Sequence, residues 1–140
     1  MSLIKQKILI IDYGSQYTQL IARRIRELQI YCEVYPFNKI NKKVLNDKTL
    51  SGIVLSGGPN SVKAKNSPKL DNQILNLNKP ILGICYGLQL IAKNFKGKVS
   101  SVRQKREFGK TLLKKEKNSI LTKNFFKKKN LCLDEPSRCC

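Results

Sequence analysis

Apolar positions along the chain switch repeatedly between two periods. Lys7-Ile-Leu-Ile-Ile-Asp12 is a short, β-branched apolar run closed by an acid, the pattern of a buried parallel strand. From Ser15 the period lengthens. Tyr17, Leu20, Ile21, Ile25 and Leu28 fall on one helical stripe, Arg23, Arg24 and Arg26 on other faces, and Ser15 is the predicted N-cap. Tyr31-Cys-Glu-Val-Tyr35 alternates and stops at Pro36 as a second strand would. Residues 37–51 read as polar connection with a short helix around Val44 and Leu45. Ile53-Val-Leu55 is a third strand, broken by Ser56-Gly-Gly-Pro-Asn60. Leu70, Ile74, Leu75 and Leu77 predict a helix after Pro68. Pro80-Ile-Leu-Gly-Ile84 predicts a fourth strand, and Leu88, Leu90, Ile91 and Phe95 line the next helix. Strands alternating with helices at this spacing predict a doubly wound α/β fold with a mostly parallel sheet.

After Gly109 the pattern weakens. Lys114-Lys-Glu-Lys117 and Lys127-Lys-Lys129 are charge runs, and Leu131–Cys140 carries neither strand alternation nor a helical stripe. Three stretches are therefore expected: a patterned domain over 1–110, a basic continuation over 111–130 and an unrelated tail over 131–140.

Composition changes this picture little. At 140 residues and 41% hydrophobic, the chain can bury a core. The formal charge of +19 raises nucleic-acid binding as a reading. Against it, the basic residues are 22 Lys to 6 Arg, accompanied by 14 Ile and 12 Asn, an A/T-rich codon signature rather than a set of groove-reading Arg forks. No nucleic-acid motif accompanies the charge. The five cysteines, Cys32, Cys85, Cys132, Cys139 and Cys140, are odd in number and fit no zinc spacing, and histidine is absent. The expectation is no metal, no disulfide framework, no membrane span and a cytoplasmic location.

Gly83-Ile-Cys-Tyr-Gly87 has the form of a nucleophile elbow, in which glycines permit a strained strand-to-helix turn that projects the thiol. A helix starting near Gly87 would aim its N-terminus at the sulfur and favour the thiolate. A buried structural cysteine between packing glycines fits the same pattern. Ser56-Gly-Gly-Pro59 follows another strand and, alone, is an ordinary loop. In a parallel sheet both loops open at the same carboxyl edge. There they describe an acyl-transfer site with free backbone amides.

Ile8-Leu-Ile-Ile-Asp-Tyr-Gly-Ser-Gln-Tyr-Thr-Gln-Leu-Ile-Ala-Arg-Arg-Ile-Arg-Glu-Leu28, Tyr31-Cys-Glu33, Ser51-Gly-Ile-Val-Leu-Ser-Gly-Gly-Pro59, Ser67-Pro68, Leu82-Gly-Ile-Cys-Tyr-Gly-Leu-Gln89 and Arg106-Glu-Phe-Gly109 together cover roughly residues 7–110. In these runs the chain resembles the glutamine amidotransferase domain of GMP synthase. The resemblance implies a flavodoxin-like class I amidotransferase fold and a glutaminase that feeds ammonia to XMP-to-GMP conversion. Cys85 is then the nucleophile. Backbone N–H groups of Gly57 or Gly58 and of Tyr86 form the oxyanion hole, and Gln89 helps bind substrate glutamine. ATP and Mg belong to the family's synthetase domain, so this chain is expected to hold no cofactor and to work with a synthetase domain or a separate synthetase subunit.

The family's base is a His in a His-Pro-Glu motif, and these residues contain none. Negligible turnover and a marginally stable, C-terminally truncated sheet are the corresponding expectations. The alternative is a non-catalytic glutamine-binding or regulatory subunit that docks on a synthetase. Back-translated with permitted codons and read one base on, the tail yields Tyr-Val-Trp-Met-Ser-His, similar to the family's Val-Trp-Met-Ser-His run. A frameshift near codon 130 is therefore expected, and the gene sequence around that codon tests it.

Overall fold

The computed structural model describes residues 6–100, 109–112, 120 and 131–134. Four parallel strands, β1 (Lys7–Asp12), β2 (Tyr31–Pro36), β3 (Leu50–Leu55) and β4 (Ile81–Gly83), form one sheet in the order β2-β1-β3-β4. The helices are α1 (Thr18–Glu27), α2 (Lys42–Leu45), α3 (Asn72–Leu75) and α4 (Tyr86–Asn94). This is the expected doubly wound α/β arrangement, flavodoxin-like in its strand order.

Alternation along the strands sorts the core into two faces. Ile10 and Val54 meet α1 through Ala22, with Ile21 and Ile25 packed alongside. On the other face Leu9, Ile11, Ile53 and Leu55 meet α2, α3 and α4 through Val44, Ile74 and Leu90. Because β1 and β3 are covered on both faces, their apolar residues run nearly unbroken, which is why these strands were legible.

Two helical stripes depart from expectation. In α1 the buried residues are Thr18 and Ala22, whereas Leu20 is 47% and Leu28 73% exposed. Ser15 is not the N-cap. The helix starts later, at Thr18, because Asp12 gathers residues 14–18 around its carboxylate. In α4, Leu88 and Phe95 are exposed and the buried side is Tyr86, Gly87, Gln89 and Leu90. Close backbone packing at Gly87 turns that side of the helix toward β3.

A second compact unit contains an antiparallel pair, β5 (Gly109–Leu112) with β6 (Leu131–Asp134). Leu131–Asp134 thus forms a strand although its sequence has neither strand alternation nor a helical stripe. Three consecutive apolar residues, Leu131, Cys132 and Leu133, show no alternation, yet backbone pairing needs none. The charge runs at 114–117 and 127–129 and residues 135–140 lie outside the described residues.

At the amino edge of the sheet, buried Lys7 joins three segments. Its Nζ lies 2.9 Å from Glu33 Oε2 on β2 and 2.6 Å from Asp47 Oδ2 ahead of β3. Burial alone would pull the ammonium down, but the hydrogen bonds to Asp47 and Glu33 leave it raised overall. The Lys7 hydrogen bond, followed by those from Thr49, holds the Asp47 carboxyl well below its ordinary 3.8. A carboxyl depressed in the fold adds stability above its unfolded value and loses it as pH falls toward the folded value. Asp47→Asn is therefore expected to lower the melting temperature at pH 7 and to flatten its fall below about pH 4. Melts between pH 7 and 3 with identical slopes for both proteins would contradict this.

Candidate active site

Three turns meet at the carboxyl edge of β1, β3 and β4, the edge where open α/β sheets bind ligands. After β4 the chain reverses into α4 within two residues. Cys85 makes this turn at φ 50°, ψ −109° and is the N-cap residue of α4. Gln29, Asn78 and Lys96 also have positive φ, but Gln29 and Lys96 directly follow a helix C-cap, where left-handed residues are usual, and Asn78 is an asparagine, a residue type that tolerates that region. Cys85 precedes a helix, and such backbone costs about 1–3 kcal/mol.

Neighbouring bonds impose the turn. Ile84 N–H donates to Leu55 O at 3.0 Å, and Gly87 N–H donates to Ser56 O at 3.1 Å and to Ile84 O at 3.0 Å. The glycines allow contact closer than a side chain permits. A Cβ on Gly87 would sit 2.4 Å from Leu55 O, and one on Gly83 would sit 2.6 Å from Leu88 N. The elbow is thereby pressed against β3, and the Cys85 residue itself is exposed.

Gly57, in the turn after β3, lies beside this cysteine. A Cβ on Gly57 would be 3.6 Å from Cys85 Cβ and 3.3 Å from Ser15 Oγ. Gly57 is buried and Gly58 half-buried, and neither backbone N–H has a hydrogen-bond acceptor among the described residues. Gly58 packs on Tyr13, whose carbonyl oxygen would be 2.6 Å from an added Cβ. Tyr86 is the first residue of α4. Its side chain is buried, and its hydroxyl donates to Pro68 O at 2.6 Å. Its ring lies 5.5 Å from that of Tyr13, which also stacks on Phe37 at 5.6 Å. Burial pushes the Tyr13 phenol far above its ordinary range, so it stays neutral. Gln89 follows one turn along α4, with its N–H on Cys85 O at 3.1 Å and its side chain buried.

The structure therefore places Cys85 and Tyr86 at the elbow and Gln89 one turn along α4, with Gly57 of the turn after β3 beside Cys85 and Gly58 next to it in that turn. The sequence reading gave no role to the polar residues beneath them. Asp12 Oδ1 accepts from Gly14 N–H (2.9 Å), Ser15 N–H (3.2 Å) and Thr18 Oγ1 (2.7 Å). Ser56 Oγ accepts from Tyr13 N–H at 3.0 Å. The Tyr13–Ser56 bond crosses 43 residues, so no local pattern announces it. A cleft of about 400 Å³ lies elsewhere on α4, between Leu90 and Lys93 and the loop carrying Val62, Pro68 and Leu70, and Cys85 does not line it. No group of three or more Cys, Asp or Glu able to hold a metal occurs among the described residues, and none of their helices is long and apolar enough to cross a membrane.

Residues 9–134 match the family model described as glutamine amidotransferase class-I. The GMP synthase [glutamine-hydrolyzing] of Finegoldia magna is 49% identical over 118 residues, which cover 84% of this chain and 23% of that protein. Its counterpart in Elusimicrobium minutum is 51% identical over 124 residues, covering 88% and 24%. Among solved structures, a Thermoplasma acidophilum protein described as one subunit of a GMP synthase is similar, with a TM-score of 0.55 and 35% identity. That match covers 77% of this chain and 53% of the other. The chain thus spans about a quarter of the length of these curated relatives.

Proposed function

Since this chain belongs to the class I glutamine amidotransferases, we propose that it is the nucleophile-bearing part of the glutaminase of a GMP synthase. The Cys85 thiolate attacks the side-chain amide carbon of glutamine, forming an S–C bond and placing negative charge on the amide oxygen. The N–H groups of Gly57 or Gly58 and of Tyr86 receive that charge. The adduct collapses as its C–N bond breaks, the departing NH2 group taking a proton from water to leave as ammonia, and a glutamyl thioester remains for the resulting hydroxide or another water to hydrolyse. Gln89, one turn beyond the nucleophile, helps seat the glutamine. The observation that carries this reading is a thiol on a strained elbow beside buried Gly57, whose N–H has no acceptor among the described residues.

The acyl-transfer step draws on no cofactor from this chain. The ammonia passes to an ATP- and Mg-using synthetase, which is the proposed partner and converts XMP to GMP in the cytoplasm. The names of the relatives support this assignment. Because the 140 residues include no histidine, a second reading keeps glutamine binding without turnover, in a regulatory subunit docked on the synthetase.

A chloromethyl ketone analogue of glutamine tests the site without a general base. The thiolate displaces chloride from its CH2Cl carbon while the ketone oxygen stands where the amide oxygen of glutamine would. Alkylation is expected at Cys85, slowed by glutamine but not by glutamate, and absent in Cys85→Ala. Equal labelling of Cys32 and Cys85, or no protection by glutamine, would refute the assignment.

A further inference from the structure

We propose that the Ser56 hydroxyl is a positioning group that sets the direction of the Gly58 N–H, one of the oxyanion-binding amides, while the Ser56 carbonyl sets that of Gly57. This rests on the glutaminase reading above. A trans peptide holds its C=O and N–H antiparallel, so anchoring one fixes the other. Both peptides around Gly57 are anchored through their carbonyls. Ser56 O accepts from Gly87 N–H at 3.1 Å, which turns the Gly57 N–H the opposite way. Gly57 O lies 2.9 Å from Ser56 Oγ, and a bond there turns the Gly58 N–H away from the interior. Two successive glycines would otherwise let the 57–58 peptide rotate with little resistance.

Ser56 is suited to this task. It is fully buried, and its oxygen is oriented by the Tyr13 N–H at 3.0 Å. Its single proton has two acceptors in range, Gly57 O at 2.9 Å and Asp12 Oδ1 at 3.4 Å, and the shorter contact takes it. Asp12 already accepts from Gly14, Ser15 and Thr18, which leaves the Ser56 proton to the glycine carbonyl. The hydroxyl touches no substrate and acts through the peptide it holds.

Two alkylating agents separate positioning from packing. The chloromethyl ketone presents a carbonyl oxygen to the amides, and iodoacetamide reads only thiol access and ionisation. In Ser56→Ala the chloromethyl ketone rate at Cys85 is expected to fall at least tenfold, while the iodoacetamide rate stays within twofold of wild type. Ser56→Cys, which keeps the packing with a weaker donor, is the second variant should the alanine protein not fold, and a smaller loss of the same selectivity is expected. Wild-type chloromethyl ketone rates in the variant that folds, or an equal fall with both reagents, would overturn the proposal. If the wild-type chain itself shows no glutamine-protected labelling at Cys85, it is the glutaminase reading that fails instead.

Discussion

A polypeptide of these 140 residues, given saturating glutamine, is expected to release ammonia at no more than about 10⁻² to 10⁻⁴ of the rate of a full-length family member. On the proposed reading Cys85 is the attacking group, but the family's histidine, which would move the protons, is absent from the sequence. Attack needs a thiolate, which a helix N-terminus favours. Departure of ammonia needs a proton delivered to nitrogen, and hydrolysis of the thioester needs a water relieved of one. No histidine exists in the sequence to do either. Loss of a general acid/base alone costs about 10²–10⁴-fold, and groups that act as a unit lose still more together. Coupled detection of glutamate and ammonia checks this. Turnover close to that of an intact member would show that another residue serves as the base.

Gly87→Ala is expected to destabilise the fold by about 3 kcal/mol or more. The new methyl would lie 2.4 Å from Leu55 O, 2.6 Å from Leu55 Cβ and 2.8 Å from Leu55 C. These atoms belong to β3, which is paired on both sides, so no flexible side chain can move aside. Relief requires lifting α4 off the sheet, which breaks the Gly87 bonds to Ser56 O and Ile84 O. In a domain of this size each kcal/mol is about 4–8 °C, so a drop in melting temperature of at least 12 °C is expected. Gly57→Ala is the informative comparison. Its methyl meets Ser15 Oγ at 3.3 Å and Cys85 Cβ at 3.6 Å, so it should fold and instead crowd the thiol. A Gly87→Ala protein that melts with wild type would show that the elbow is looser than these contacts imply.

Much of the fold was readable because β1 and β3 are buried on both faces, and their residues alone carry the signal. The helices were less readable. The stripe through Tyr17, Leu20, Ile21, Ile25 and Leu28 mixes core with surface, because α1 meets the sheet through Ala22 with Ile21 and Ile25 alongside while Tyr17, Leu20 and Leu28 stay exposed. At the site, Cys85 and its glycines were visible through spacing, since close backbone approach demands glycine at fixed offsets. Ser56 and Asp12 had no such signal. A serine and an aspartate at strand ends look like ordinary turn formers, and what distinguishes them here is contact across the sheet.

The order of the strands also bears on synthesis. Among the described residues, the hydrogen bonds from Ile84 and Gly87 that bend the cysteine turn reach Leu55, Ser56 and Ile84, all translated before or within the turn itself. Domains form from their N-terminal end as the chain leaves the ribosome at about 5–20 residues per second. Docking of β4 on β3 is the closing event, because only then do Leu55 O and Ser56 O meet the amides of Ile84 and Gly87. The Cys85 turn can thus take its bent geometry on a nascent chain as soon as β4 docks on β3.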